Sequence, residues 1–160
     1  KEWLFEKSAG LIVLSGFRDG DIGQQIIKGN ADAAEGLLTD YVQHFGDRFY
    51  LELQRTGREN EELVFKASLA LASKHSVPVV ATNDIRFMNS DDFEAHETRV
   101  CIGESYALAD KRRLKRYSDQ QYFRSPEEMI ELLHDLPSAI ETTLEIATRC
   151  SVEVDLVKYY

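Results

Sequence analysis

The residues with the best placement for chemistry close the stretch Val77 to Phe87. Val77-Pro78-Val79-Val80-Ala81 is a short apolar, β-branched run that reads as a buried strand. It breaks into Thr82-Asn83-Asp84-Ile85-Arg86. In sheets covered by helices, side chains just past the C-terminal strand ends reach into a site. Asp84 is therefore the first candidate for a metal ligand or an acid–base group. Its neighbour two residues on is Arg86, which shares its face on an extended backbone and cannot coordinate a metal. Two other predicted strand ends add Phe17 and Arg18, and Arg55. A metal hydrolase places His, Asp, Glu or Cys at such positions, and only Asp84 qualifies. The plainer expectation is fixed ion pairing, with the arginines answering Asp19, Glu52 and Asp84.

The elements that must position these residues follow from periodicity. Gly10 to Gly16 predicts a buried strand, and Phe49-Tyr50-Leu51-Glu52-Leu53 a second, with Glu52 inside it. Ile22, Ile26 and Ile27 predict a short helix closed by Gly29-Asn30. Ala31 to Phe45 predicts a helix with Ala34, Leu37, Leu38, Tyr41, Val42 and Phe45 as its stripe. Glu59 to His75 predicts another, burying Leu63, Ala67, Ala70 and Leu71. Asn89 or Ser90 caps a helix burying Phe93, His96, Val100 and Cys101. Gly103 to Ser118 reads as loop. Ser125-Pro126-Glu127-Glu128 is a capping box opening a helix with Met129, Ile130, Leu132 and Leu133. Pro137 opens a last helix carrying Ile140, Leu144 and Ala147, and residues 152–157 are expected to be extended. This order predicts an α/β fold with parallel strands and helical crossovers.

Composition narrows the function. The chain has 160 residues, 43% hydrophobic, with a net charge of −9. Such an acidic chain does not suit a general nucleic-acid surface. One basic run stands out: Lys111, Arg112, Arg113, Lys115 and Arg116 are a candidate phosphate contact, weighed against a solvated loop. Cys101 and Cys150 have no metal-type spacing and read as buried reduced thiols, which fits a cytoplasmic protein. No apolar run approaches the ~20 residues that span a bilayer, so no membrane partner is expected. Phosphate-loop and nucleophile-elbow contexts are missing around Ser15. His96 on an apolar helix face reads as a hydrogen-bonded core residue, and His44, His75 and His134 as helix-end residues. The chain starts at Lys1 without a Met and is expected to be cut from a longer protein.

Six ordered motifs carry a resemblance. They are Gly10-Leu11-Ile12-Val13-Leu14-Ser15-Gly16, Phe49 to Gln54, Val79-Val80-Ala81-Thr82-Asn83-Asp84, Asp92 to Glu97, Tyr122 to Met129, and Glu145 to Cys150. Together they resemble the polymerase-and-histidinol-phosphatase (PHP) domain of the bacterial replicative DNA polymerase III alpha subunit, in its proteobacterial branch. The resemblance implies a partial, distorted β/α barrel of PHP type with parallel strands and C-terminal helices, its N-terminal strands absent. It implies a barrel portion over residues 1–110, followed at 111–160 by a basic loop and helices leading toward the polymerase core. Family members with a working site have a Cys after the first of these strands, where this chain has Phe17. They have Asp-His after the second, against Arg55-Thr56 here, and Asn-Asp-x-His after the third, against Asn83-Asp84-Ile85-Arg86.

A degenerate site of Asp84, Arg86, Phe17 and Arg55 is therefore expected, with no catalytic residue, metal or cofactor in this stretch. The Mg2+ of the polymerase core belongs to the parent protein, whose catalytic carboxylates lie beyond Tyr160. The partners implied are the proofreading exonuclease subunit and, through the parent, DNA. An open sheet edge predicts self-association. The alternative function is a metal-dependent phosphoesterase or 3'-5' exonuclease using Asp84, with His96 among its ligands.

Overall fold

A computed structural model describes residues 2–152. Among these residues the α-helices and strands run in order: α1 (Glu2–Glu6), β1 (Val13–Leu14), α2 (Asp21–Ile27), α3 (Ala31–Phe45), β2 (Phe49–Leu53), α4 (Glu61–His75), β3 (Val79–Ala81), α5 (Phe93–Glu104), α6 (Pro126–Leu132) and α7 (Pro137–Arg149), with short 3-10 turns at Gly46–Arg48 and Ser90–Asp92. The strands lie in the order β1-β2-β3, all parallel. Val13 stands opposite Phe49, and Leu51 and Leu53 opposite Val79 and Ala81. The α/β class and the parallel order are those expected. The described strands form an open sheet rather than a closed barrel.

Strand alternation sorts β2 into two faces. Phe49, Leu51 and Leu53 point into the core. Phe49 and Leu51 meet Ile22, Ala34, Leu38, Phe45 and Ala72, and Leu53 meets Phe17, Val64, Phe65, Leu133 and Ala139. The helices after β1 and β2 thus cover this face. Glu52 and Gln54 carry polar groups on the other: the Gln54 amide donates to Glu52 at 3.0 Å and to the Thr82 hydroxyl at 3.0 Å. Leu133 and Ala139 share a core with Phe17 and Leu53, so the end of α6 and the start of α7 pack against the sheet.

Several expectations are corrected. The first strand is only Val13–Leu14, and Leu14 is exposed, because the strand lies at the sheet edge. The core face of α4 is Val64, Phe65, Ser68 and Ala72, while Leu63 faces solvent. On α7 the buried residue is Ala139, and Leu144 is exposed. Near the end of α6, Leu133 is buried and Ile130 exposed. On α5 the buried residues are His96, Glu97 and Cys101. Cys150 is exposed. The β3 edge is not bare, because the Thr143 hydroxyl of α7 donates to the Ala81 carbonyl at 3.2 Å. The expected extended segment lies, past Val152, outside the described residues.

Candidate functional site

The C-terminal ends of the three strands open into one polar cluster. The turn after β1 is tight. A Cβ on Gly20 would stand 1.8 Å from the Ser15 carbonyl oxygen, so only glycine fits. Phe17 at its apex has φ +45° and is buried beside Leu53. Its ring fills core space. Asp84 follows β3 with φ +42°, another left-handed non-glycine.

Asp84 is fully engaged. Its Oδ1 lies 2.7 Å from Arg86 Nη2, and its Oδ2 lies 3.3 Å from Arg58 Nη1. The Gln121 amide donates to Oδ2 at 2.8 Å and to the Asp84 carbonyl at 3.2 Å. Arg58 is the centre of the cluster, with only 6% of its side chain exposed. It also pairs with Asp19 at 2.8 Å and donates to Gln54 Oε1 at 2.9 Å and Thr56 Oγ1 at 3.1 Å. Arg18 pairs with Asp19 at 3.2 Å and donates to the Glu59 carbonyl at 2.7 Å. The expected ion pairing of Arg18 and Arg86 is therefore present.

Arg55 does not belong to this cluster. Its guanidinium forms a bidentate pair with Asp135 at 2.6 and 2.7 Å, donates to the Leu132 carbonyl and lies over the Phe65 ring. Alternation explains this: with Gln54 and Thr56 bonded to Arg58, position 55 points the other way. The pair ties the β2 exit to the α6–α7 turn, and the Arg55 guanidinium holds the Asp135 carboxyl down at about 2.

Glu61 holds the loop that presents Arg58. Its carboxylate accepts from the Thr56 amide at 2.8 Å, the Thr56 hydroxyl at 2.7 Å and the Gly57 amide at 2.6 Å. On the far side, Asn83 donates to the Tyr122 carbonyl at 2.7 Å, and the Arg86 amide to the Gln121 carbonyl at 2.8 Å. Residues 120–122 thus strap the mouth of the sheet. Arg58, Gln121 and Glu61 were not singled out from the sequence as site residues. Gly57, at φ +73°, is the one local signal that the chain turns back there and presents the next side chain to the mouth.

His96 is buried against the rings of Phe87 and Tyr117, at 5.4 and 4.8 Å between centroids. Its Nε2 has no hydrogen-bond partner, which corrects the expected hydrogen-bonded core histidine. Burial pushes its pKa down, and the Arg99 charge adds to this. It is not gathered with Asp84 into a ligand set: among the described residues, no group of three or more His, Cys, Asp or Glu is placed to hold a metal ion.

The basic run is tied to its neighbours. Arg113 pairs with the buried Glu97, Arg116 with Glu104 at 3.2 Å, and Arg112 with Asp110 at 2.6 Å. Only Lys111 and Lys115 of the five are without a carboxylate partner among the described residues. This corrects the picture of five cations open to phosphate, since α5 supplies two of the carboxylates that hold the loop. No helix among the described residues is long and apolar enough to cross a membrane.

The PHP domain family matches residues 1–56. The DNA polymerase III subunit alpha of Pseudomonas fluorescens is 54% identical over the whole chain, that of Pseudomonas aeruginosa 52%, and that of Escherichia coli K12 49%. In each case the chain spans 14% of the relative's length. Over all 160 residues the chain is alike to one segment of these alpha subunits, and over residues 1–56 it matches the PHP domain family.

Proposed function

We propose that this region is a metal-poor structural and subunit-docking part of a cytoplasmic bacterial replicative DNA polymerase, one that carries no catalysis itself. The observation that carries the reading is the state of Asp84. Both its carboxylate oxygens are held by guanidinium groups, and Gln121 donates to one of them. A metal ion would have to displace Arg58 or Arg86, and neither cation is a ligand. Phe17 offers no donor where the family resemblance implies a Cys. The residues present therefore do not fit the metal group that the PHP resemblance implies. In its place the two arginines put fixed positive charge beside the remaining carboxylate. The nucleotidyl-transfer chemistry, with its Mg2+, belongs to other parts of the parent polymerase. The docking partner implied is its proofreading exonuclease subunit.

The test is elemental analysis of the complete alpha subunit after dialysis against Zn2+ or Mn2+ and then buffer. Retention at this site below one tenth of an equivalent, unchanged by Asp84→Ala, is expected. One equivalent that disappears with Asp84→Ala overturns the reading in favour of a phosphoesterase.

A further inference from the structure

Helix α5 and the basic loop after it enclose a small pocket away from the strand ends. Its volume is about 240 Å³, and Phe93, Tyr117 and Leu108 line it together with Glu97 and Arg113. Clefts that take a whole small molecule begin at ~300 Å³, so this one admits a single ring of a longer ligand. Both of its rings are fixed by neighbours. Phe93 packs on Phe87 at 5.9 Å between centroids. Tyr117 meets His96 at 4.8 Å and carries the Arg86 guanidinium over its ring at 5.4 Å. Aromatic rings held in this way, yet lining an opening, form a stacking platform.

The polar groups of the pocket divide into engaged and open ones. Glu97 is buried, and Arg113 answers it through Nη1. Arg113 also donates through Nε to the Leu108 carbonyl at 3.2 Å. Its remaining nitrogen, Nη2, bonds none of the described residues and is not enclosed. Lys115 lines the pocket from an exposed position and has no carboxylate partner among the described residues. Glu94 is likewise exposed at the pocket. Its carbonyl accepts from the Thr98 hydroxyl at 2.8 Å, and its carboxylate bonds none of the described residues. The open set is two cationic donors, one carboxylate and two rings.

That set is the complement of a nucleotide. A base stacks on aromatic rings, the amino group of cytosine or adenine donates to a carboxylate, and phosphate oxygens accept from Lys and Arg. An aromatic side chain of a protein would use the rings and leave the open charges unanswered. The surrounding charge agrees. Residues 93–118 hold six Lys and Arg against four Asp and Glu, a basic segment in a chain of net charge −9. Three cations of the basic run are tied to carboxylates, so they form no continuous phosphate track, and the contact is local. We propose that the pocket between α5 and residues 106–118 binds one base of a single-stranded nucleic acid. The base lies on Phe93 and Tyr117, its amino group on Glu94, and the flanking phosphate on Lys115 and Arg113 Nη2. This goes beyond the docking reading and requires no protein partner.

The experiment photocrosslinks the full-length alpha subunit to an oligodeoxycytidylate carrying 5-iodocytosine and maps the products by mass spectrometry. Crosslinks at Phe93 or Tyr117 are expected, in a yield that falls as salt rises. Phe93→Leu and Lys115→Glu are each expected to lower the Tyr117 yield about fivefold or more, while crosslinks elsewhere in the subunit persist. Lys66→Glu, exposed on α4, leaves it unchanged. Absence of crosslinks at both rings overturns the pocket. An unchanged Tyr117 yield in both pocket variants does the same, and so does an equal loss in Lys66→Glu. Competition by free deoxycytidine monophosphate as effective, mole for mole, as by the oligonucleotide overturns the strand and assigns the pocket to a free nucleotide. Protection of residues 93–117 from hydroxyl radicals by the proofreading exonuclease subunit, and not by the oligonucleotide, overturns the nucleic acid in favour of a protein.

Discussion

Replacing Arg58 with Met tests whether the ion cluster is a structural lock. The guanidinium is 6% exposed, so its partners depend on it for charge balance. Breaking a buried ion pair by removing one member costs about 3–5 kcal/mol. Two features reduce that here. Asp19 is 55% exposed and recovers water, as surface carboxylates do. Asp84 keeps Arg86 and Gln121. The loss of hydrogen bonds to Gln54 and Thr56 acts in the other direction. We expect about 2–3 kcal/mol, which for a domain of this size lowers Tm by roughly 5–10 °C. Thermal unfolding followed by circular dichroism reads it. The double variant Arg58→Met with Asp84→Asn removes the stranded charge as well, and its cost is expected to fall short of the sum of the singles by about 1 kcal/mol or more. Arg58→Met melting within 2 °C of the unmodified chain, or strict additivity in the cycle, would refute the lock.

Two pH dependences follow. Burial depresses the His96 pKa, so the fold holds its neutral form, and that stability is fully present above the ordinary value of 6.5 and declines as pH falls below it. Denaturant midpoints compared at pH 7.5 and 5.5 should show a loss that His96→Phe removes; an unchanged loss in the variant counts against it. The Asp135 carboxyl is held down to about 2 from 3.8, so its contribution is present above about 4 and is lost as pH falls toward 2. Asp135 is half exposed, so the effect is modest. Asp135→Asn should flatten only that part of the acid limb, and an identical limb in the variant contradicts the assignment.

What the sequence could disclose depended on how local the determinant was. The bounds of α3 and the capping box of Ser125 with Glu128 are legible, because a 3.6-residue stripe and a three-residue spacing are local signals. The buried faces of α4 and α7 were misplaced for the opposite reason. In Leu63-Val64-Phe65 every position is apolar, and only packing decides which side turns inward. Position 55 was assigned to the mouth from its place after β2, but its direction is set by alternation and by Asp135, 80 residues away. Arg58 was passed over because a cation in an exit loop looks like solvent-facing charge until Asp19, Asp84 and Gln54 are brought around it.

The backbone at the strand ends explains why a cluster without evident chemistry is still so fully bonded. Phe17 and Asp84 both sit at positive φ, a conformation that costs roughly 1–3 kcal/mol in a residue other than glycine. Such strain persists only where the surroundings over-determine it. Around Phe17 the determinants are the close approach of Gly20 to the Ser15 carbonyl and the burial of the ring. At Asp84 they are two guanidinium groups and two donations from Gln121. A single guanidinium, that of Arg58, joins the two turns by bonding Asp19 on one and Asp84 on the other. The mouth of the sheet is thus closed on itself: Asp84 and Asp19 each pair with an arginine of their own turn and with Arg58 from the β2 exit loop. Displacing the β2 exit loop breaks bonds at both of the other strand ends, because Arg58 holds Asp19 and Asp84 together.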